Sequence, residues 1–187
     1  LGELHDRLRS LVREDAGRDP EPTAGIIDSQ SVRAAATVPA ASRGYDAGKK
    51  VPGRKRHIVV DCLGLLLAVM VTTASVQDRD AAMPLLLRVR DRYRKISLVW
   101  ADGGYAGALV WWARQALRLT VQVVKRSDDA KGFVVLHRRW CVERTFAWLF
   151  RSRRLVHDYE RLPAVHEHMV LWSMTMLMSR RLARRRG

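Results

Sequence analysis

The sequence predicts an α/β fold in which helices pack on a mixed sheet of five strands. Short apolar runs alternate with helical patterns in the order β, ββ, α, β, α, β, α, α, which is typical of one layered domain. Two of these runs, at 57–61 and 65–72, are joined by three residues and therefore predict an antiparallel hairpin. A third run, at 96–101, ends abruptly on Asp102 and two glycines, as a buried strand does when it enters a tight turn.

The other elements follow from local patterns. Leucines at positions 1, 4, 8 and 11 predict an amphipathic helix, which the segment 17–22, containing Gly and Pro, brings to an end. Apolar runs predict a first strand at 23–28 and a fifth at 120–124, while the polar residues 29–31 predict a turn. The helical patterns lie at 77–94, 109–117, 138–153 and 165–186.

The charge of the chain indicates a polyanionic partner. The 187 residues carry a formal net charge of +15, and the pI is near 11.1. The excess is uneven, because residues 1–28 have a net charge of −3 and the rest of the chain has +18. This balance favours nucleic acid over a small metabolite. No apolar run reaches the ~20 residues of a membrane span, and two distant cysteines indicate neither a zinc module nor a disulfide framework.

Residues 33–56 contain few large apolar side chains and many small or basic ones. Such a segment cannot bury enough surface to order itself, so we expect a mobile basic loop. The alternative is an ordinary solvated surface loop, and charge alone does not decide between the two. The cations proposed for contacts with DNA phosphates are Lys49, Lys50, Arg54, Lys55 and Arg56.

Three acids suit a site for phosphoryl chemistry. Asp28 and Asp102 end predicted strands, and Glu143 lies inside an apolar helix, where an acid needs a partner or a function. Because Mg²⁺ and Mn²⁺ prefer carboxylate oxygens, the three acids together predict a metal site. An acid at a strand end also commonly forms a turn or caps a helix. Position alone leaves both roles open for the two aspartates.

Two neighbouring features have competing interpretations. Asp61 also ends a strand, but a tight turn follows it, so we prefer a turn-forming role. Arg139 precedes Glu143 by one helical turn. This pair is either a plain salt bridge or an arrangement that places a cation beside a metal-bound phosphate.

The chain resembles the DDE transposases of bacterial insertion sequences, specifically the insertion sequence five family, in four segments: 27–32, 53–61, 100–107 and 139–149. In related transposases an Asp-x-Gly-Tyr segment surrounds the second acid, and here Asp-Gly-Gly-Tyr stands at 102–105. The resemblance implies a ribonuclease H-like fold with Asp28 and Asp102 on neighbouring strands and Glu143 on a following helix. It also implies that these three acids hold two Mg²⁺ or Mn²⁺ ions.

The third acid of the family normally lies in a pattern of Tyr, two residues, Arg, three residues, Glu, six residues and Lys. Arg139 and Glu143 fit this pattern, whereas Leu136 replaces the Tyr and Phe150 replaces the Lys. That Lys is thought to contact transposon-end DNA, and two arginines follow closely in this chain. The candidate DNA contacts that the resemblance implies are therefore Arg139, Arg151, Arg154 and Tyr105.

We therefore expect a transposase that cleaves DNA at transposon ends with metal ions and joins the freed 3′-hydroxyl to target DNA. It would act on double-stranded DNA as a homodimer or larger assembly, in the bacterial cytoplasm near the nucleoid and without a membrane. The alternatives are an inactive DNA-binding fragment and a ribonuclease H-like nuclease without strand transfer. Family members usually have a further N-terminal helical region, so we expect 1–19 to be its tail and 20–187 to be the catalytic domain with a C-terminal helix.

Overall fold

The computed structural model describes residues 1–124 and 139–184. Its strands are β1 (Ala24–Arg33), β2 (Gly44–Asp46), β3 (Val51–Val60), β4 (Leu66–Thr73), β5 (Leu98–Ala101) and β6 (Thr120–Val123). Its α-helices are α1 (Gly2–Asp15), α2 (Asp78–Arg92), α3 (Ala108–Leu117), α4 (Arg139–Phe150), α5 (Arg153–Val156) and α6 (Pro163–Arg184). Each helix in these residues is too short or too polar to cross a lipid bilayer.

The strands form one mixed sheet with β1 at its centre. β1 is antiparallel to β3 on one side and parallel to β5 on the other, and β6 continues the sheet beyond β5 in the parallel direction. The outer edge of β3 pairs with β4 and with the short β2. This mixed sheet with flanking helices confirms the predicted α/β class.

The sheet has six strands in the described residues rather than the predicted five, because β2 was not expected. β2 is only three residues long and contains no apolar run, so periodicity does not reveal it. It forms because β3 extends beyond β4 and offers an edge with which Gly44–Asp46 pairs. The predicted hairpin is confirmed, since β3 and β4 are antiparallel neighbours.

Helices cover both faces of the sheet. Ile58 and Val59 follow one another on β3, yet they belong to different hydrophobic clusters because successive side chains of a strand point to opposite faces. The Val59 face packs against α2 and α3, with Leu85 at its centre. The Ile58 face packs against α4 and α6 through Phe146 and Met174. The sheet therefore lies between two layers of helices.

Strand β1 is longer than predicted. It runs on through residues 29–31, where a turn was expected, and its second half pairs with β3 from Asp28↔Ile58 to Arg33↔Gly53. The polar side chains there are accommodated by hydrogen bonds: the Ser31 hydroxyl donates to Asp46 at 2.5 Å. Polar residues can thus continue a strand when a neighbouring element supplies their partners.

The prediction of a mobile basic loop at 33–56 is wrong, because β2 and the first half of β3 lie there. Arg54, Lys55 and Arg56 are buried. The Arg54 guanidinium donates to Asp158 at 3.0 Å, and the Arg56 guanidinium donates to Gln30. These three cations are held by protein groups, so the structure does not present them to DNA.

Helix α1 packs on α6 and on the turn between β3 and β4. Val12 joins Leu65 and Met178 in a small hydrophobic cluster. The Arg13 guanidinium donates to the buried Asp61 carboxylate at 2.5 Å, and the other Asp61 oxygen accepts the backbone N–H groups of residues 63 and 65. The turn-forming role of Asp61 is therefore confirmed. Helix α1 therefore packs directly on α6 and on the turn between β3 and β4.

Candidate active site between strands β1 and β5

The two predicted aspartates lie on neighbouring parallel strands. The register pairs Ile26 with Trp100, and its continuation by two residues aligns Asp28 with Asp102. β5 ends at Ala101, so Asp102 is the first residue beyond that strand, whereas β1 continues past Asp28 along β3. Two carboxylates from distant parts of the sequence therefore lie toward the same end of neighbouring strands, and the charge of each acts on the hydroxyl of Tyr105.

Backbone hydrogen bonds orient both carboxylates. Asp102 caps a 3₁₀ turn at Gly103–Tyr105, where its Oδ1 accepts the N–H of Gly104 at 2.9 Å. Asp28 Oδ1 accepts the N–H of Ser29 at 2.7 Å. Asp102 therefore does form a turn, as one interpretation held, and the turn fixes its carboxylate at the strand end. Both aspartates are half-buried.

Tyr105 lies close enough to the two aspartates for their charges to act on its hydroxyl. Its side chain is buried. Burial raises the pKa of the Tyr105 hydroxyl well above its usual range, and the negative charges of Asp28, Asp78 and Asp102 raise it further. The hydroxyl therefore stays protonated, and negative potential is concentrated at this place. Tyr105 was predicted to contact DNA. Because its side chain is buried, the structure does not present it to DNA.

Glu143 lies on α4, but its surroundings differ from those predicted. The helix buries Val142, Phe146 and Leu149 against the sheet and leaves Glu143 exposed. The apolar surroundings inferred from the sequence are therefore wrong for this side chain. The described residues contain no group of three or more acidic, His or Cys side chains close enough to hold a metal ion. The role of Glu143 as a third ligand stays a prediction.

Part of the predicted motif lies outside the described residues. Leu136 belongs to the segment 125–138, and Arg139 is described only as the first backbone residue of α4. The two interpretations of the Arg139 and Glu143 pair therefore both stay open.

A family model of a transposase DDE domain matches residues 19–178. The chain belongs to this family. The expected membership of the DDE transposases is thereby confirmed. A putative transposase for insertion sequence element IS402 from Burkholderia cepacia is 36% identical in an alignment of 126 residues that covers 62% of this chain and 57% of that relative. The match thus spans little more than half the length of the curated relative.

Two solved structures are also similar to this transposase domain. The catalytic core domain of BIV integrase aligns with a TM-score of 0.47 and 12% identity, over 82% of this chain and 80% of that one. The Mos1 transposase in its paired-end complex with the left transposon end aligns with a TM-score of 0.34 and 11% identity, over 64% of this chain and 40% of that one.

The two aspartates of the transposase domain fit a divalent cation. Carboxylates are hard oxygen ligands and need no deprotonation at neutral pH. Asp28 and Asp102 are aligned across neighbouring strands, and the charge of both reaches the hydroxyl of Tyr105. Asp28 and Asp102 are therefore residues that could hold Mg²⁺ or Mn²⁺, and Glu143 as a third ligand stays a prediction.

Lys49, another of the predicted DNA contacts, lies beside strand β1. Its Nζ donates to the carbonyl oxygen of Ser29 at 3.0 Å, next to Asp28 in the chain. The neighbouring Lys50 is exposed and has a positive φ of 54°. Sequence reasoning treated both lysines as parts of a loop, so the position of Lys49 beside β1 becomes apparent only in the folded chain.

The two candidate arginines after Glu143 do not continue its helix. α4 ends at Phe150, so Arg151 lies in a turn and Arg154 lies in the short α5. Arg154 donates to the carboxylate of Glu160 at 2.6 Å. The prediction of an uninterrupted helix at 138–153 is therefore wrong. Their contacts with DNA stay predictions.

Sequence reasoning missed a group of ion pairs formed by the buried Lys55. Lys55 lies between two acids, 3.0 Å from Asp78 and 3.4 Å from Asp46. Asp78 is the first residue of α2, and its sequence position indicated only the start of a helix. The ion pairs join α2, β2 and β3, so local sequence patterns could not reveal them.

Proposed function

We propose that this chain is the catalytic domain of a DNA transposase, which hydrolyses a phosphodiester at a transposon end and joins the freed 3′-hydroxyl to target DNA. The observation that carries the proposal is the parallel pairing of β1 and β5 up to Ile26 and Trp100, because Asp28 and Asp102 each lie two residues beyond that pair. Membership of the DDE transposase family supports it. The net charge of +15 supports a DNA substrate.

The protein's own part in this chemistry is positioning. When bound, a pair of divalent ions activates the attacking oxygen and stabilises the leaving oxygen of an in-line phosphoryl displacement. The N–H groups of Ser29 and Gly104 hold the Asp28 and Asp102 carboxylates in fixed directions, so little reorganisation is needed. The ammonium group of Lys49, beside β1, suits a phosphate of the bound strand.

Nicking of supercoiled plasmid in Mg²⁺ or Mn²⁺ tests the proposed site. We expect Asp28→Asn, Asp102→Asn and Glu143→Gln each to slow nicking at least about a hundredfold, as does the removal of other charge-stabilising groups. DNA binding should stay nearly unchanged, because each variant removes one negative charge. Asp91→Asn, at an exposed acid near the end of α2, is the matched control. Unchanged nicking in any one active-site variant would remove that acid from the site.

Strand transfer separates a transposase from a nuclease. The substrate is a labelled DNA duplex with the sequence that flanks the gene encoding this chain. It is mixed with a plasmid that serves as the target. Joining of the label to the plasmid is the result we expect. Nicking without joining would indicate a nuclease, and DNA binding without either reaction would indicate an inactive fragment.

A further inference from the structure

A groove lies between the end of α4 and the second half of α6. Its volume is about 550 Å³, and Trp148 and Trp172 contribute to its walls. The hydroxyls of Ser152 and Ser173 lie 2.8 Å apart and connect the two sides at its floor. Neither the aspartates nor Tyr105 line this groove, so it is separate from the candidate active site.

The groove is strongly cationic. Among the described residues that line it, none is acidic, whereas four are arginines: Arg151, Arg180, Arg181 and Arg184. A lining with four cations and no acid favours a ligand that carries negative charge.

Aromatic side chains form the other part of the groove. Trp172 is 53% exposed, and on α6 it is followed at intervals of four residues by Met176, Arg180 and Arg184, which places all four on one face. The Arg181 guanidinium lies 4.3 Å from the ring centre of Trp148 and holds that indole in place. One indole is thus fixed, and the other is open to a flat ligand.

We propose that this groove binds single-stranded DNA, with phosphates on the arginines and an unpaired base stacked on Trp172. Cationic grooves with exposed aromatic side chains bind single strands in this way, whereas a duplex keeps its bases stacked on one another. The inference rests on the proposed function, because cleavage and joining expose unpaired strand ends. α4 also carries Glu143, five residues before Trp148, so the groove and the third proposed ligand share one helix.

Binding of a fluorescein-labelled single-stranded oligonucleotide, followed by fluorescence anisotropy in EDTA, tests the proposal. We expect Trp172→Ala to weaken binding about tenfold, within the range for loss of one stacked base. Arg180→Ala should lower the slope of log affinity against log salt by about 0.7, the value for one phosphate contact on a single strand. The matched controls are on α3: Trp111→Ala, which removes a 69% exposed indole, and Arg114→Ala.

Two results would overturn the proposal. The first is equal affinity of Trp172→Ala and Trp111→Ala for the single strand, with both variants folded by circular dichroism. The second is an acidic peptide that binds more tightly than the oligonucleotide and is lost in Trp172→Ala, since it would assign the groove to a protein partner.

The assay also keeps this proposal apart from the proposed function. It contains no divalent metal, so binding does not depend on cleavage, and Asp102→Asn should bind the oligonucleotide as the wild type does. If plasmid nicking fails and the groove variants still weaken binding, only the catalytic proposal falls. If nicking depends on Asp102 and the groove variants bind normally, only the groove proposal falls.

Discussion

His57 lies fully buried on β3, and burial changes its protonation. Desolvation lowers the pKa of His57 from 6.5 to about 4; the charge of Asp78 opposes this shift, and those of Lys55 and Lys49 add to it. Its Nε2 lies 3.0 Å from the hydroxyl of Thr72. The ring therefore stays neutral in the folded protein at a pH where an unfolded chain already binds the proton.

The neutral ring predicts a loss of stability in mild acid. The contribution of His57 is present above pH 6.5 and is lost as the pH falls toward 4, because in this window the unfolded state binds more protons. Between pH 7 and pH 5, we expect the free energy of unfolding to fall by about 1–2 kcal/mol more in the wild type than in His57→Gln. Urea unfolding at both pH values measures the difference. His168→Gln, at an exposed histidine of α6, should behave as the wild type; a matching fall in His57→Gln would contradict the account.

The buried cations of β3 show where residue-level prediction ends. Arg and Lys are seldom buried unless they are paired, so a basic run predicts a surface. Arg54 is buried because Ser42, Asp158 and Glu160 satisfy its guanidinium, and Asp158 lies 104 residues further along the chain. No local pattern contains that information. The same residues that suggested a DNA-binding loop instead fasten β3 to the segment before α6.

Among the secondary-structure elements, β3 depends on one glycine. Gly53 pairs with β1 on one side and with β2 on the other. Its φ is +154°, and a Cβ at this position would lie 2.1 Å from the carbonyl oxygen of Val32 and 2.6 Å from the N of Ala34. The contacting atoms are backbone atoms of the neighbouring strand, so a side chain requires the two strands to separate.

Gly53→Ala should therefore destabilise the sheet. We expect a loss of about 1–3 kcal/mol or more, the range for a residue forced into a disfavoured backbone conformation. Thermal unfolding measures it as a lower melting temperature. At Gly48 an added Cβ would meet only Asp46 Oδ1, at 3.5 Å, so Gly48→Ala is the control. Equal melting temperatures for the two variants would show that β1 and β3 adjust without cost.

Periodicity located most elements to within a few residues because their apolar faces are regular. α2 and α3 begin within one residue of the predicted positions, and the β3–β4 hairpin is confirmed. The failures share one cause. The second half of β1, β2 and the start of β3 are polar or basic, and they are ordered by contacts between elements that are distant in sequence. The interruption of α4 after Phe150 likewise has no strong local signal.

For the molecule as a whole, the candidate site was predictable only in part. Asp28 and Asp102 each follow an apolar run, and parallel strands bring such ends together, so their meeting could be inferred. The position of Lys49 beside Ser29 and the exposure of Glu143 depend on how loops and helices pack, which sequence patterns do not encode. The sequence therefore predicted the positions of Asp28 and Asp102 better than the surroundings of Glu143.

The central claim is that Asp28 and Asp102 together hold a divalent metal ion. Fe²⁺ in place of Mg²⁺, with ascorbate and hydrogen peroxide, generates hydroxyl radicals that cut a protein backbone beside the bound ion, and mass spectrometry locates the cuts. We expect cuts near both aspartates that excess Mg²⁺ suppresses, that Asp102→Asn abolishes and that Asp91→Asn retains. Cuts confined to other parts of the chain, or the same cuts in Asp102→Asn, would contradict the claim.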